Sequence, residues 1–254
     1  MSYERIHFVA SPVGLAEEAR DRLIARHGQS PVAEAEVIVA LGGDGLMLTT
    51  LHATEGLAIP VYGMNRGTVG FLMNAYAEDR LVPRLDAAEE AVLNPLRMRA
   101  TRSDGEVVEA LAINEVSILR AGPQAAKLRI LVDGRERLGE LVADGALLCT
   151  PAGSTAYNYS AHGPILPIGA DILALTPMAA FRPRRWRGAL LPKSAAVTFE
   201  VMEADKRPVS AVADSFEVRD PLRIEIASAA DVAHHLLFDP GHGLEERLIR
   251  EQFV

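Results

Sequence analysis

The chain has 254 residues, enough for one large domain or two modest ones with cores of their own. Acidic residues outnumber basic ones by 34 to 26, a formal charge of −8 that argues against a protein built to coat nucleic acid with Lys and Arg. Hydrophobic residues make up 49%, yet charge, Gly or Pro breaks every apolar run short of the ~18 residues that read as a membrane span. Residues 1–5 lack the basic-then-apolar pattern of a secretory signal, and the lone Cys149 makes neither an internal disulfide nor a zinc site by itself. These features predict a globular protein of the cytoplasm with no membrane and no nucleic-acid partner.

In chain order, 6–10 predicts a buried strand, followed by Ser11-Pro12 and a helix over about 15–25. Residues 37–41 form a second unbroken apolar run that stops at Gly42-Gly43-Asp44-Gly45. Residues 46–52 then read as helix and 59–62 as a third strand. Continuously apolar strands separated by helices point to a parallel sheet covered on both faces. Ligands of such sheets sit beyond the carboxyl ends of the strands, where the glycine-rich loops fall.

Near Asn94-Pro95 the runs become short and alternating. Asp104-Gly105 separates 97–101 from 107–111, and Asp133-Gly134 separates 128–132 from 135–138; both are hairpin signatures, because Asp-Gly tolerates positive φ. Residues 197–202, 209–212 and 222–226 add strands. Beyond residue 243, Leu244, Leu248, Ile249 and Phe253 fall close to one helical face. The expected organisation is an α/β N-terminal domain with a parallel sheet (1–95), a β-rich, sandwich-like second domain (96–230), and a C-terminal segment (231–254) whose helix returns to the first domain.

The sharpest local feature is Gly42-Gly43-Asp44-Gly45. Glycines between a buried strand and a helix let backbone N–H groups approach an anion, and the helix N-terminus adds favourable partial charge. An unpaired carboxylate there only repels phosphate, so Asp44 makes sense as the proton acceptor for an attacking hydroxyl or as a Mg²⁺ ligand. A tight turn with a helix-capping Asp is the structural alternative. The phosphate loop G-x-x-x-x-G-K-S/T, the dinucleotide fingerprint, the H-E-x-x-H zinc motif and the G-x-S-x-G elbow are all missing.

A second glycine-spaced loop, 63–72, offers Phe71 either as an aromatic face for a ligand or as a core-packed ring. Asn114-Glu115 presents an amide and a carboxylate to a ribose or base, or forms an ordinary strand edge. Asp144-Gly145 and Thr150-Pro151-Ala152-Gly153-Ser154-Thr155-Ala156-Tyr157 combine small residues with hydroxyls and an acceptor. Four arginines within 182–187 form a phosphate-seeking surface, a solvated turn or a subunit contact. His234 and His235 are neighbours that point to opposite faces of a strand.

Taken together and in order, these segments resemble the NAD kinase family. The G-G-D-G element is 42–45, N-x-G-x-x-G-F-L is 65–72, the N-E pair is 114–115, T-P-x-G-S-T-A-Y is 150–157 and F-R-P is 181–183. The resemblance implies phosphorylation of the adenosine-ribose 2′-hydroxyl of NAD to give NADP. ATP or polyphosphate is the implied donor, with Mg²⁺ or another divalent metal held mainly by the donor phosphates. It implies that Asp44 is the proton acceptor, that Gly42, Gly43 and Gly45 line the phosphates, and that Asp44, Gly45 and Phe71 lie beside the NAD. Asn114 and Glu115 would contact the nucleotide, while Asp144, Ala152, Thr155, Ala156, Tyr157, Asn158, Tyr159 and Ser160 would line its pocket. A homodimer or homotetramer is also implied.

Three departures stand out. Leu46 occupies a position that is usually Thr, Asp214-Ser215-Phe216 replaces a D-G/S-Q element, and 184–189 looks inserted after F-R-P. Leu46 and Phe216 keep open a second reading, a nucleotide-binding sensor that has lost catalysis. A lipid kinase sharing G-G-D-G is a third.

Overall fold

The computed structural model describes residues 3–67, 70–184 and 186–241. The first stretch runs β1 (Ile6–Ala10), α1 (Gly14–His27), β2 (Val37–Gly42), α2 (Asp44–Ala53), β3 (Val61–Asn65), α3 (Leu81–Ala87) and β4 (Glu89–Leu93). Strands then dominate: β5 (Leu96–Arg102), β6 (Val107–Ala112), β7 (Glu115–Arg120), β8 (Ala126–Val132), β9 (Arg135–Ala143) and β10 (Gly145–Cys149). After the short helix α4 (Tyr157–Ser160) come β11 (Ile172–Met178), β12 (Ala189–Pro192), β13 (Val197–Val201), β14 (Val209–Ala213), β15 (Phe216–Arg219) and β16 (Pro221–Ser228), and finally β17 (His234–Phe238). The chain divides into two compact units, Met1–Leu93 with Val232–Val254, and Asn94–Asp231. The predicted terminal helix over 244–253 lies outside the described residues.

The sheet of the first unit has the order β1-β2-β3-β17-β4. All six residues of β2 are buried, as a parallel strand covered on both faces requires. Helix α1 contributes Ala19 and Leu23 to a core that also holds Phe8, Val39, Leu41, Tyr62 and Leu85. The expectation of a parallel sheet needs one correction: β4 runs antiparallel to β17, so the sheet is mixed. Only Leu93 of β4 is buried, and an edge strand carrying Glu89 and Glu90 shows no apolar pattern to read.

Strand β17 enters between β3 and β4, parallel to the former. Its histidines do face opposite ways: His234 is buried, whereas His235 stands beside Glu90. Buried Asn74 stitches the insertion, donating to the carbonyls of Gly63 and Leu237 (both 3.0 Å) and accepting from the Asp239 N–H (2.9 Å). The Arg84 guanidinium and the Tyr62 hydroxyl both donate to the Asp239 carboxylate, each at 2.6 Å.

The second unit contains two six-stranded antiparallel sheets, β12-β11-β10-β7-β14-β15 and β6-β5-β16-β13-β8-β9. Met98, Ile130, Phe199 and Ile224 of one sheet share a core with Ile118, Leu148, Leu175 and Ala211 of the other, which makes the pair a sandwich. Both predicted hairpins form, β5 with β6 and β8 with β9. Asp133 and Gly134 take φ of 52° and 73°, as a two-residue turn demands. Among the described residues no helix is long and apolar enough to cross a membrane.

Candidate active site

In the first unit, Gly42 and Asn65 are register partners at the carboxyl ends of the neighbouring strands β2 and β3, so the two glycine loops emerge side by side. The Arg66 N–H donates to the Gly42 carbonyl at 2.7 Å. Gly43, not Asp44, caps helix α2, and Asp44 is the first helical residue. The capping alternative for Asp44 is thereby replaced by a different arrangement. Its Oδ2 accepts from the Phe71 N–H (2.8 Å) and its Oδ1 from the Leu72 N–H (2.9 Å), so the carboxylate ties one glycine loop to the other. Phe71 itself is half-buried.

The glycines divide by what surrounds them. A Cβ on Gly42 would lie 2.8 Å from Leu46 Cδ2 and 3.0 Å from Ser11 Oγ. On Gly70 it would meet Met73 Cγ at 2.8 Å. Packing inside the unit therefore disfavours a side chain at either position. Gly45 differs: it is exposed, and a Cβ there would meet nothing within 4 Å. Leu46, the departure from Thr, is the side chain that fills the space above Gly42.

In the second unit, Asn114 and Glu115 lie where β6 hands over to β7, clamped from two sides. Asp214 sits in the turn between β14 and β15 with φ of 51°. Its carboxylate accepts from the N–H groups of Ile113 (2.7 Å), Asn114 (2.9 Å) and Glu115 (3.3 Å). From the other side, the Thr150 hydroxyl donates to the Ile113 carbonyl (2.7 Å) and accepts from the Gly153 N–H (3.1 Å), while the Thr150 N–H donates to the Asn114 carbonyl (2.9 Å). The Tyr157 N–H donates to the Glu115 carboxylate, yet Glu115 Oε2 is sealed from solvent and accepts no hydrogen bond. Burial first, and the Asp214 charge second, push the Glu115 pKa up to about 7.

That shift predicts a stability effect. Between the ordinary Glu value and pH 7 the folded chain holds more protons than the unfolded one, so Glu115 lowers stability progressively as pH rises through this window. Glu115→Gln is expected to stabilise the unliganded chain by about 2 kcal/mol at pH 8 and by much less at pH 5. Thermal melts of both proteins across that range measure it, and a pH-independent difference would refute the assignment.

The remaining predicted residues take varied positions. Asp144 receives Arg120 Nε at 2.6 Å, so its acceptor is already engaged by a guanidinium. Ala152 is buried, Thr155 and Ala156 are half-buried, and Tyr157, Tyr159 and Ser160 are exposed. Asn158 does not line an open surface: it is wholly buried, donates to the carbonyls of Ser154 (3.2 Å) and Pro164 (2.9 Å), and accepts from the Thr176 hydroxyl (2.7 Å). Phe181 and Arg182 both donate their N–H groups to the Val142 carbonyl, pinning the F-R-P segment to β9. The Arg182 side chain reaches Glu140 at 3.6 Å, and the Arg184 guanidinium lies 5.6 Å from the Phe181 ring centroid. Arg185 lies outside the described residues. Phe216 begins the edge strand β15 and is half exposed.

Sequence reasoning gave no role to Thr150, Gly153 or the Asp214 carboxylate. Thr150 and Gly153 stood inside one recognised motif and Asp214 inside the D-G/S-Q element, but the partners of the Asp214 carboxylate lie about a hundred residues away, where no local pattern shows them.

An α/β unit presenting paired glycine loops with one carboxylate suits phosphate chemistry, as a phosphotransferase requires, and the same chain carries a sandwich that holds a sealed acidic group. Comparison with known proteins makes the class specific. Residues 14–84 match the family model described as the ATP-NAD kinase N-terminal domain, and residues 113–228 match the ATP-NAD kinase C-terminal domain. An NAD kinase of Cereibacter sphaeroides is 68% identical over 254 residues, covering 100% of each chain. One of Caulobacter vibrioides is 61% identical over 98% of this chain and 96% of its own. The chain belongs to the NAD kinase family.

Two solved structures share its fold. A yeast NADH kinase complexed with NADH superposes with a TM-score of 0.86 at 19% identity, covering 100% of this chain and 88% of that one. An Archaeoglobus fulgidus NAD kinase in complex with ATP gives 0.75 at 24%, covering 98% and 97%. None of these relatives is a lipid kinase or a non-catalytic sensor, so those readings of the sequence gain no support here.

Proposed function

We propose that the chain transfers the γ-phosphoryl group of ATP to the 2′-hydroxyl of the adenosine ribose of NAD, releasing ADP and NADP, with Asp44 taking the hydroxyl proton. The observation that carries the reading is the Asp44 carboxylate held at the junction of the two glycine loops by the Phe71 and Leu72 N–H groups. Each carboxylate oxygen can accept two hydrogen bonds. Both oxygens are oriented by the backbone. As the 2′-oxygen bonds to phosphorus and the bond to the ADP oxygen breaks, the acceptor oxygen becomes acidic and its proton passes to Asp44. Backbone donors of 42–45, with Gly45 opening to solvent, support the phosphates, so catalysis is mostly positioning and preorganised electrostatics.

In the same reading, Asn114 and Glu115 hold the nucleotide. A ribose hydroxyl would give Glu115 Oε2 the donor that the protein does not provide. Asp144, Ala152 and residues 155–160 frame the NAD pocket. Among the described residues no three of His, Cys, Asp and Glu cluster as a metal cage. A divalent cation would be a partner of the donor phosphates, with Asp44 the only carboxylate in either loop, and when bound it offsets phosphate charge. The working form is a cytoplasmic homodimer or homotetramer.

The test is NADP formation by the purified chain from NAD with Mg-ATP and, separately, with polyphosphate, read by an NADP-specific dehydrogenase. Product with ATP is expected. Measurable NAD binding with no product from either donor would return the chain to the sensor reading.

A further inference from the structure

We propose that Asp214 is a positioning residue for the Asn114–Glu115 pair and through it sets the affinity for NAD. The inference rests on the reading that this pair holds the nucleotide. Three successive N–H groups, those of Ile113, Asn114 and Glu115, converge on one carboxylate, and the Asp214 N–H returns a bond to the Glu115 carbonyl at 3.1 Å. Such a nest of backbone donors is built for an anion. The side chain supplying it comes from a turn residue in the left-handed region, which Asp adopts more readily than most side chains.

Satisfying three N–H groups does not by itself call for a charge. A neutral acceptor would also serve, without facing the Glu115 carboxyl. The groups around that carboxyl are Asp214 from the β14–β15 turn, Cys149, its register partner on β10, and the Tyr157 N–H on α4. Asp214 is the charged one among them, and its effect on Glu115 is to favour the protonated form. Asp214 thus fixes where Asn114 and Glu115 stand and adds to burial in favouring the protonated Glu115.

The experiment compares wild type, Asp214→Asn, Asp214→Gly and Glu115→Gln. It measures kcat and the KM values for NAD and Mg-ATP from about pH 5.5 to 8.5. Asp214→Asn is expected to raise KM for NAD roughly tenfold to a hundredfold. KM for ATP and kcat should stay within about threefold, because only the acceptor side is disturbed. The ionisation seen in the NAD profile should move to lower pH in Asp214→Asn and vanish in Glu115→Gln.

Asp214→Gly, whose new residue suits the positive φ, keeps the test open if the Asn variant fails to fold. In it, added formate should occupy the nest and restore NAD affinity. Unchanged KM for NAD in both Asp214 variants, with affinity lost in Glu115→Gln, would overturn the inference while leaving the pair's role intact. An ionisation that stays at its wild-type pH, or a fall in kcat with both KM values altered together, would overturn it too. Wild-type NAD affinity in Glu115→Gln would instead overturn the reading of the pair, and this inference with it.

Discussion

Asp44→Asn is expected to fold, to bind NAD and to lose about a hundredfold to ten-thousandfold in kcat. The argument is geometric. Two N–H donors, of Phe71 and Leu72, face the two carboxylate oxygens at 2.8 and 2.9 Å. An amide offers one oxygen and one NH₂ group, so one of the two bonds is kept and the other becomes donor against donor. The loss to stability is about 1 kcal/mol, well below what unfolds a domain. What disappears is the group that takes the hydroxyl proton. Calorimetric NAD binding beside kcat at saturating NAD and Mg-ATP separates the two effects, and near-normal kcat would remove Asp44 from the base role. Asp44→Ala releases both loop contacts and should melt lower than Asp44→Asn, since it unties the second glycine loop from helix α2.

Gly153→Ala should destabilise the chain by about 3 kcal/mol, because overpacking against backbone has no cheap relief. Its Cβ would fall 2.2 Å from the Asn114 carbonyl oxygen, 2.5 Å from the carbonyl carbon and 2.6 Å from Cα. No rotamer can move those atoms away. Either the Asn114 peptide shifts and loses its bonds to Asp214 and Thr150, or the 150–156 loop swings out and takes the Tyr157 N–H from Glu115. Melting should fall by roughly 6–12 °C, with KM for NAD rising more than KM for ATP. Gly14→Ala, where a Cβ meets nothing within 4 Å at the start of α1, is the stability control and should be neutral or slightly stabilising. Equal melting of the two variants would show that the Asn114–Gly153 contact is not a constraint.

The sequence made β2 legible because a parallel strand covered on both faces is unbrokenly apolar, β1 and β3 through shorter apolar runs, and the β5–β6 and β8–β9 hairpins through Asp-Gly turns. The glycine loops were readable as loops, and Asp44 as the residue that a phosphate site must explain. Strand β4 stayed hidden because an exposed edge places Glu89 and Glu90 where a buried strand would alternate. Nor could local pattern show β17 lying between β3 and β4, since strand order is decided by contacts distant in sequence. The same limit applies to the site. Glu115 and Asp214 are each ordinary in their own neighbourhood, and only their meeting, 99 residues apart, gives Glu115 its raised proton affinity. Asn158 lies in a polar motif of the sequence, and its amide is committed to Ser154, Pro164 and Thr176 in the interior.

The placement of β17 has a consequence for how the molecule is made. The sheet that carries Asp44 has a gap between β3 and β4 until residues 234–238 fill it, whereas residues 94–231 form their sandwich from one continuous stretch. The sandwich can therefore form without residues 234–238, whereas the earlier-synthesised α/β unit cannot complete its sheet until they are available. A chain truncated near residue 230 would hold every strand of the sandwich and an α/β sheet still open between β3 and β4. The loop that carries Asp44 thus acquires its finished support only when residues from beyond the sandwich join the sheet.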